Sequence, residues 1–322
     1  MRVFLTGASG LLGANIAHEL VLRGHDLNVL LRPGSDERGI AGLPYTPFYG
    51  DLFQPEVLES ALEGCDAAIH SAGLTDQWLI DFSPYEKVNV EGTISLVDAV
   101  LKAGVGRFIF VSTSNTIGNG SQESPGTEAK GFNLSHIQSG YISSKVRAER
   151  YVLEQVEKRG LCALVVNPAF LLGPYDLKPS SGRLIQYALR SRVQLIPPGS
   201  KNYLHVRDAA VAICNALTKG RPGERYLLAG ENLSYRQFFD LINRVSGRKP
   251  MQIPLPGFVL LMLGSLSAFW VRYLGGKSRF NYGMAQLCTL KFYYSGQRAI
   301  KELGMPVTPL QEAVREALEW VG

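Results

Sequence analysis

The stretch from Val3 to Gly13, Val-Phe-Leu-Thr-Gly-Ala-Ser-Gly-Leu-Leu-Gly, restricts the fold of this chain more than any other. Val3, Phe4 and Leu5 are an apolar run of strand type, and an apolar helical pattern begins at Leu11. Gly7, Gly10 and Gly13 fall at three-residue intervals between and after them. A strand that runs through a glycine turn into a helix is a dinucleotide-binding arrangement. The first glycine permits the tight turn. The second lets backbone N–H groups approach a pyrophosphate at the helix N-terminus. The third lets the helix pack closely on the sheet. Gly7, Ser9, Gly10, Leu11, Leu12 and Gly13 are therefore the expected cofactor-binding turn.

The remaining alternation extends this unit. Strands are expected at 2–6, 27–31, 45–49, 67–70, 107–111 and 162–167, and helices at 11–23, 55–62, 85–103 and 140–158. Such alternation predicts an α/β fold with a doubly wound parallel sheet. At the end of the second strand a carboxylate would bind the 2′-hydroxyl of NAD. The chain instead reads Leu30-Leu31-Arg32-Pro33-Gly34-Ser35. Arg32 can pair with a 2′-phosphate, so NADP(H) is expected over NAD(H). Asp36 and Glu37 come late and stand next to Arg38. After the fourth strand, Ser71, Ala72 and Gly73 are small enough for the backbone to run beside the cofactor. Ser112-Thr113-Ser114 follows the fifth strand, where ligands bind in open α/β sheets. Tyr141 and Lys145, four residues apart near a helix start, share one helix face. A phenol beside an ammonium is a proton donor whose pKa is expected to fall toward neutrality.

Beyond residue 172 the pattern changes. Residues 1–172 form the expected cofactor domain, its sheet rejoined by about 201–229. Residues 173–200 and 230–322 form a smaller, mostly helical substrate lobe. Within it, residues 258–271 are almost wholly apolar, yet shorter than the roughly 20 residues that span a bilayer. This segment is expected to be a helix lining an apolar pocket, with an interfacial or dimer-forming helix as the alternative. Trp78, Phe170, Tyr175, Phe258 and Trp270 suggest a hydrophobic ligand, though each also suits plain core packing. The net charge of +5 comes without a long basic run, so no nucleic acid partner is expected. The four cysteines lie far apart with no CxxC spacing, as expected for reduced thiols and no metal. No signal peptide is recognised, and a cytoplasmic location is expected.

The glycine turn, of GxxGxxG rather than GxGxxG spacing, and Tyr141-Ile-Ser-Ser-Lys145 together resemble the extended short-chain dehydrogenase/reductase family. The resemblance runs nearly the whole length, through Gly50-Asp51-Leu52, Val88-Asn89-Val90-Glu91-Gly92-Thr93 and Leu204-His205-Val206-Arg207-Asp208. It implies Ser114 as the catalytic serine, with Ser112 and Thr113 as local competitors, Tyr141 as acid/base, and Lys145 lowering its pKa. It also implies Asn89 in a proton relay, and Asp51 with Leu52 at the adenine. Ser112, Pro168 and Phe170 fall beside the nicotinamide. The ending Phe292-Tyr-Tyr-Ser-Gly-Gln-Arg-Ala-Ile-Lys-Glu-Leu-Gly304 looks like that of dihydroflavonol-reductase-like proteins, relatives of 3β-hydroxysteroid dehydrogenases. The sugar-nucleotide epimerases and dehydratases typically carry an arginine just before a Phe/Tyr-x-His-Val segment. Here that segment reads Lys201-Asn202-Tyr203-Leu204-His205-Val206, without it. The resemblance thus implies an NADP(H)-dependent enzyme for a hydrophobic ketone or secondary alcohol, working as a homodimer joined through helices 85–103 and 140–158. Peripheral membrane contact is compatible with the apolar segment. A nucleotide-sugar epimerase or dehydratase with bound NAD, and a non-catalytic NADP-binding sensor or scaffold, are the alternatives.

Overall fold

The computed structural model describes residues 1–77, 79, 81–177, 182–274 and 280–321. Its first half contains β1 (Arg2–Thr6), α1 (Leu11–Leu22), β2 (Asp26–Leu31), β3 (Thr46–Tyr49), α2 (Pro55–Leu62) and β4 (Ala67–His70). Then come α3 (Ser83–Tyr85), α4 (Gly92–Lys102), β5 (Arg107–Val111), α5 (Gly140–Arg159) and β6 (Ala163–Pro168). The second half holds β7 (Phe170–Leu172), α6 (Gly182–Arg190), β8 (Val193–Ile196), β9 (Ser200–His205), α7 (Val206–Asn215) and β10 (Arg225–Leu228). It closes with β11 (Glu231–Ser234), α8 (Tyr235–Ser246), β12 (Met251–Pro254), α9 (Gly257–Leu274), α10 (Tyr282–Thr289) and α11 (Leu310–Val321).

Seven strands pair in the order β10-β6-β5-β4-β1-β2-β3, all parallel. This is the doubly wound Rossmann order, with its reversal between β1 and β4, where a crevice opens beyond the strand ends. Both faces are covered, so the central strands are apolar on both sides. Ile16, Ala17 and Leu20 of α1 pack with Ala209 and Ile213 of α7 on one face. Leu58, Leu96, Val97 and Val152 from α2, α4 and α5 cover the other.

Of residues 201–229, only β10 rejoins this sheet. β9 pairs with β7 and β11 in a separate three-stranded sheet, against which α6, α8 and α11 build a third core. The short pair β8 and β12 escaped the sequence reading for a physical reason. In β8 the buried residues are Gln194 and Ile196 while Val193 and Leu195 face out, inverting the usual alternation. Gln194 survives burial because its amide donates to Ala188 O at 3.1 Å and Asn243 Oδ1 at 2.9 Å.

The expected pocket-lining role of the 258–271 segment is overturned. Within α9, Phe258, Met262, Leu266, Phe269 and Trp270 are all more than half exposed. Spaced at three to four residues, they form one outward stripe, the kind of surface that meets lipid or another apolar face. The neighbouring α10 turns Met284 and Leu287 to the central cleft instead. No helix among the described residues is long and apolar enough to cross a membrane.

Candidate active site

A cleft of about 930 Å³ runs across the C-terminal ends of β1, β2, β4, β5 and β6 and under the second lobe. Gly7, Ser9, Gly10, Leu11, Leu12 and Gly13 form one wall, and Arg32, Asp51 and Leu52 bound one end. Ser71, Ala72 and Gly73 lie between these and the far end, which holds Ser112, Ser114, Tyr141, Lys145, Pro168 and Phe170. Trp78 lies outside the described residues. Tyr175 stacks on His18 at 4.5 Å and meets Trp320 edge-on, so it belongs to packing rather than to the cleft.

The glycine turn is built as a cradle that side chains would fill. Gly7 has φ +80°, and a Cβ there would stand 2.6 Å from Ala72 N. A Cβ on Gly13 would stand 2.0 Å from Gly7 O. The α1 N-terminus carries no acid in its first turn, leaving its N–H groups and dipole for an anion. A dinucleotide pyrophosphate fits this donor set. Gly13→Ala is expected to lower unfolding stability by about 1–3 kcal/mol through overpacking and to weaken dinucleotide affinity, as read by melting and fluorescence titration. An unchanged affinity would remove the cradle assignment.

A buried relay holds the opposite wall. Thr93 Oγ1 donates to Asn89 O at 2.7 Å, so it accepts from His70 Nε2 at 3.2 Å. His70 Nδ1 then accepts from Thr6 Oγ1 at 2.7 Å, and Thr6 Oγ1 in turn accepts from Ala72 N at 3.2 Å. This direction requires a neutral His70. Burial, reinforced by Lys145, lowers its pKa to about 3. Sequence reading passed over His70, because its partners, Thr6 and Thr93, come from two elements far apart in the chain.

Asn89 does not line the cleft. It sits in a π-helical turn, Glu86–Glu91, between α3 and α4. Its Oδ1 accepts from Leu74 N at 2.7 Å, and its Nδ2 donates to Leu74 O at 3.1 Å and Ser144 Oγ at 2.9 Å. Ser144 Oγ donates onward to Tyr141 O at 2.8 Å. The Asn89 side chain therefore ties the 71–74 wall to the turn bearing Tyr141. Both ends of its amide are engaged inside the protein.

The three hydroxyls after β5 have separate fates. Ser112 Oγ donates to Glu149 Oε2 at 2.5 Å, so its proton is committed to that carboxylate. Thr113 hydrogen-bonds the Tyr141 phenol. Ser114 lines the cleft, with the Tyr294 hydroxyl beside its side chain. Tyr294 fixes the Ser114 backbone, its hydroxyl donating to Ser114 O at 3.0 Å.

Tyr141, Lys145 and Glu149 follow one another along one face of α5. Lys145 Nζ donates to Val111 O at 2.7 Å and lies 4.5 Å from the Phe110 ring centroid. Burial lowers the Lys145 pKa to about 8, with Glu149 acting in the opposite sense. Tyr141 departs from expectation. Burial raises its phenol above the usual value, and the Thr113 hydrogen bond partly offsets this.

A Rossmann crevice with a glycine cradle and a facing tyrosine–lysine pair defines a nicotinamide-dinucleotide-dependent oxidoreductase. The chain belongs to the NAD dependent epimerase/dehydratase family, whose model matches residues 3–229. It is 31% identical to sterol demethylase protein B of Methylococcus capsulatus, over 99% of this chain and 98% of that one. It is 27% identical to a putative dihydroflavonol 4-reductase of Synechocystis sp., over 98% of this chain and 93% of the other. The crystal structure of gox2253 superposes with a TM-score of 0.87 at 33% identity, covering 99% of this chain and 97% of that one.

Proposed function

We propose that this protein is an NADP(H)-dependent reductase or dehydrogenase for a hydrophobic ketone or secondary alcohol. The observation that carries the NADP assignment is Arg32, exposed at the end of β2 on the cleft wall, with no ion pair among the described residues. The nearby acids are engaged elsewhere. Asp36 pairs with Arg38 at 2.7 Å, and Glu37 accepts from the Tyr45 hydroxyl at 2.6 Å and the Tyr49 hydroxyl at 3.2 Å. A guanidinium unclaimed by these carboxylates suits a 2′-phosphate and offers nothing specific to a 2′-hydroxyl. Arg32→Ala is expected to weaken NADPH binding about 10–100-fold, the worth of a charged hydrogen bond, with NADH affinity little changed. Equal losses in parallel titrations would sink the assignment.

A nicotinamide bound in this cleft would supply or take the hydride. The chain's own groups do the rest. Ser114 Oγ holds the substrate oxygen, and Tyr141 gives that oxygen its proton during reduction. Lys145 holds this end of the cleft in place through Val111. Asn89 positions the Tyr141 turn. Phe170, Leu184, Met284, Leu287 and Phe292 give the substrate end an apolar lining, which supports a hydrophobic substrate. The names of the sterol demethylase and dihydroflavonol reductase relatives agree with such a ligand. Loss of nicotinamide absorbance on adding a ketone panel tests this reading. An enzyme that holds NAD tightly and never turns over added NADPH would instead support the epimerase alternative.

A further inference from the structure

Five cations line the cleft, and four have evident placements. Arg32 stands at the β2 end, Lys87 lies over the Phe53 ring, Lys145 donates to Val111 O, and Arg183 pairs with Asp76 at 3.1 Å. Lys201 is different. It projects from the start of β9 into the apolar part, half-buried, its Nζ 5.2 Å from the Phe170 ring centroid and 5.6 Å from that of Phe292. It has no carboxylate and no hydrogen bond among the described residues. Its polar surroundings are the Cys288 thiol and, through it, the Tyr235 hydroxyl, which reaches Cys288 Sγ at 3.8 Å.

An ammonium kept there is costly. Burial lowers its pKa, and the faces of two rings replace only part of its hydration. A purely apolar substrate would increase that cost by displacing the remaining water. An anionic group would satisfy it. We propose that the substrate carries a carboxylate on its apolar body, and that Lys201 docks it between Phe170 and Phe292. This deepens the reading of the cleft as the site of a hydrophobic carbonyl compound, and it rests on that reading. Phe292 packs in the same cluster as Tyr141 and Tyr294, so the docking point and the reacting centre share one wall. The substrate class becomes a hydrophobic oxo or hydroxy acid, with Lys201 as its specificity-determining residue.

The test uses ligands that cannot react, so that it stands apart from catalysis. Calorimetric titration of the full-length protein with dodecanoate and with dodecanol at pH 7 compares the same chain with and without the charge. The expected result is dodecanoate about tenfold tighter than dodecanol, with the preference abolished in Lys201→Met and largely kept in Lys201→Arg. Dodecanol affinity should stay within about twofold in both variants, which separates loss of the cation from loss of the pocket. Equal binding of the two ligands by the unaltered protein, or a preference that persists in Lys201→Met, overturns the proposal. Ketone turnover is read separately. Its failure with an intact Lys201-dependent preference would count against the reductase reading and leave the docking role standing.

Discussion

Tyr141→Phe should lower ketone reduction about 10²–10⁴-fold in kcat, the usual worth of a positioned proton donor, with NADPH affinity nearly unchanged. The substitution removes one hydroxyl and leaves the ring, only 9% exposed, in its cluster with Tyr85, Ile117 and Ile142. Folding should therefore survive, and circular dichroism with a melting curve checks that it does. The protonation state sharpens the expectation. Burial holds the phenol above its usual range, so at neutral pH it carries the proton that reduction consumes. Reduction should fade only as pH rises through that elevated value. Alcohol oxidation, which needs the phenolate, should be slow at neutral pH and accelerate as pH rises. A Phe variant that keeps its rate within a few-fold would move the proton donor elsewhere. One that loses NADPH binding would make Tyr141 a cofactor contact instead.

The features legible in the sequence are those written within one element or across one turn. Gly7, Gly10 and Gly13 require only β1, its turn and the first turn of α1. Tyr141 and Lys145 require only helical periodicity. Arg32 stands at a strand end whose position follows from the alternation. The features that were not legible arise between elements distant in the chain. Lys201 finds Phe292 through the lobe's folding, and His70 needs Thr6 and Thr93. The second partner of Lys145 was not legible for the same reason. Spacing places it beside Tyr141, but the carbonyl that claims its ammonium belongs to Val111 on β5. The apolar segment of α9 misled differently, because apolar content reports that a surface avoids water and not which partner covers it.

Glu149 is the largest such omission, although it stands four residues after Lys145 on the same helix face. It is 4% exposed and is the acceptor around which the catalytic end is assembled. Its Oε2 lies 2.5 Å from Ser112 Oγ, 2.7 Å from Thr116 Oγ1 and 2.8 Å from Asn167 Nδ2, and its Oε1 lies 3.5 Å from Arg225 Nη1. These partners come from the ends of β5, β6 and β10 and from the turn after β5, so one carboxylate joins three neighbouring strands. Glu149→Ala leaves the Arg225 charge and several donors facing a hole, and is expected to cost about 3–5 kcal/mol of unfolding stability. Arg225 keeps one alternative, its bond to Glu128 O at 2.8 Å, which argues for the lower half of that range. Glu149→Gln preserves the volume and one acceptor oxygen and should cost less, about 1–2 kcal/mol. It also removes the charge that opposes the effect of burial on Lys145, so the pH at which that ammonium loses its proton should move further down from about 8. Urea midpoints measure the first effect, and an NMR titration of the Lys145 ammonium measures the second. A Glu149→Ala protein as stable as the parent would mean that the three strand ends hold together without their shared acceptor.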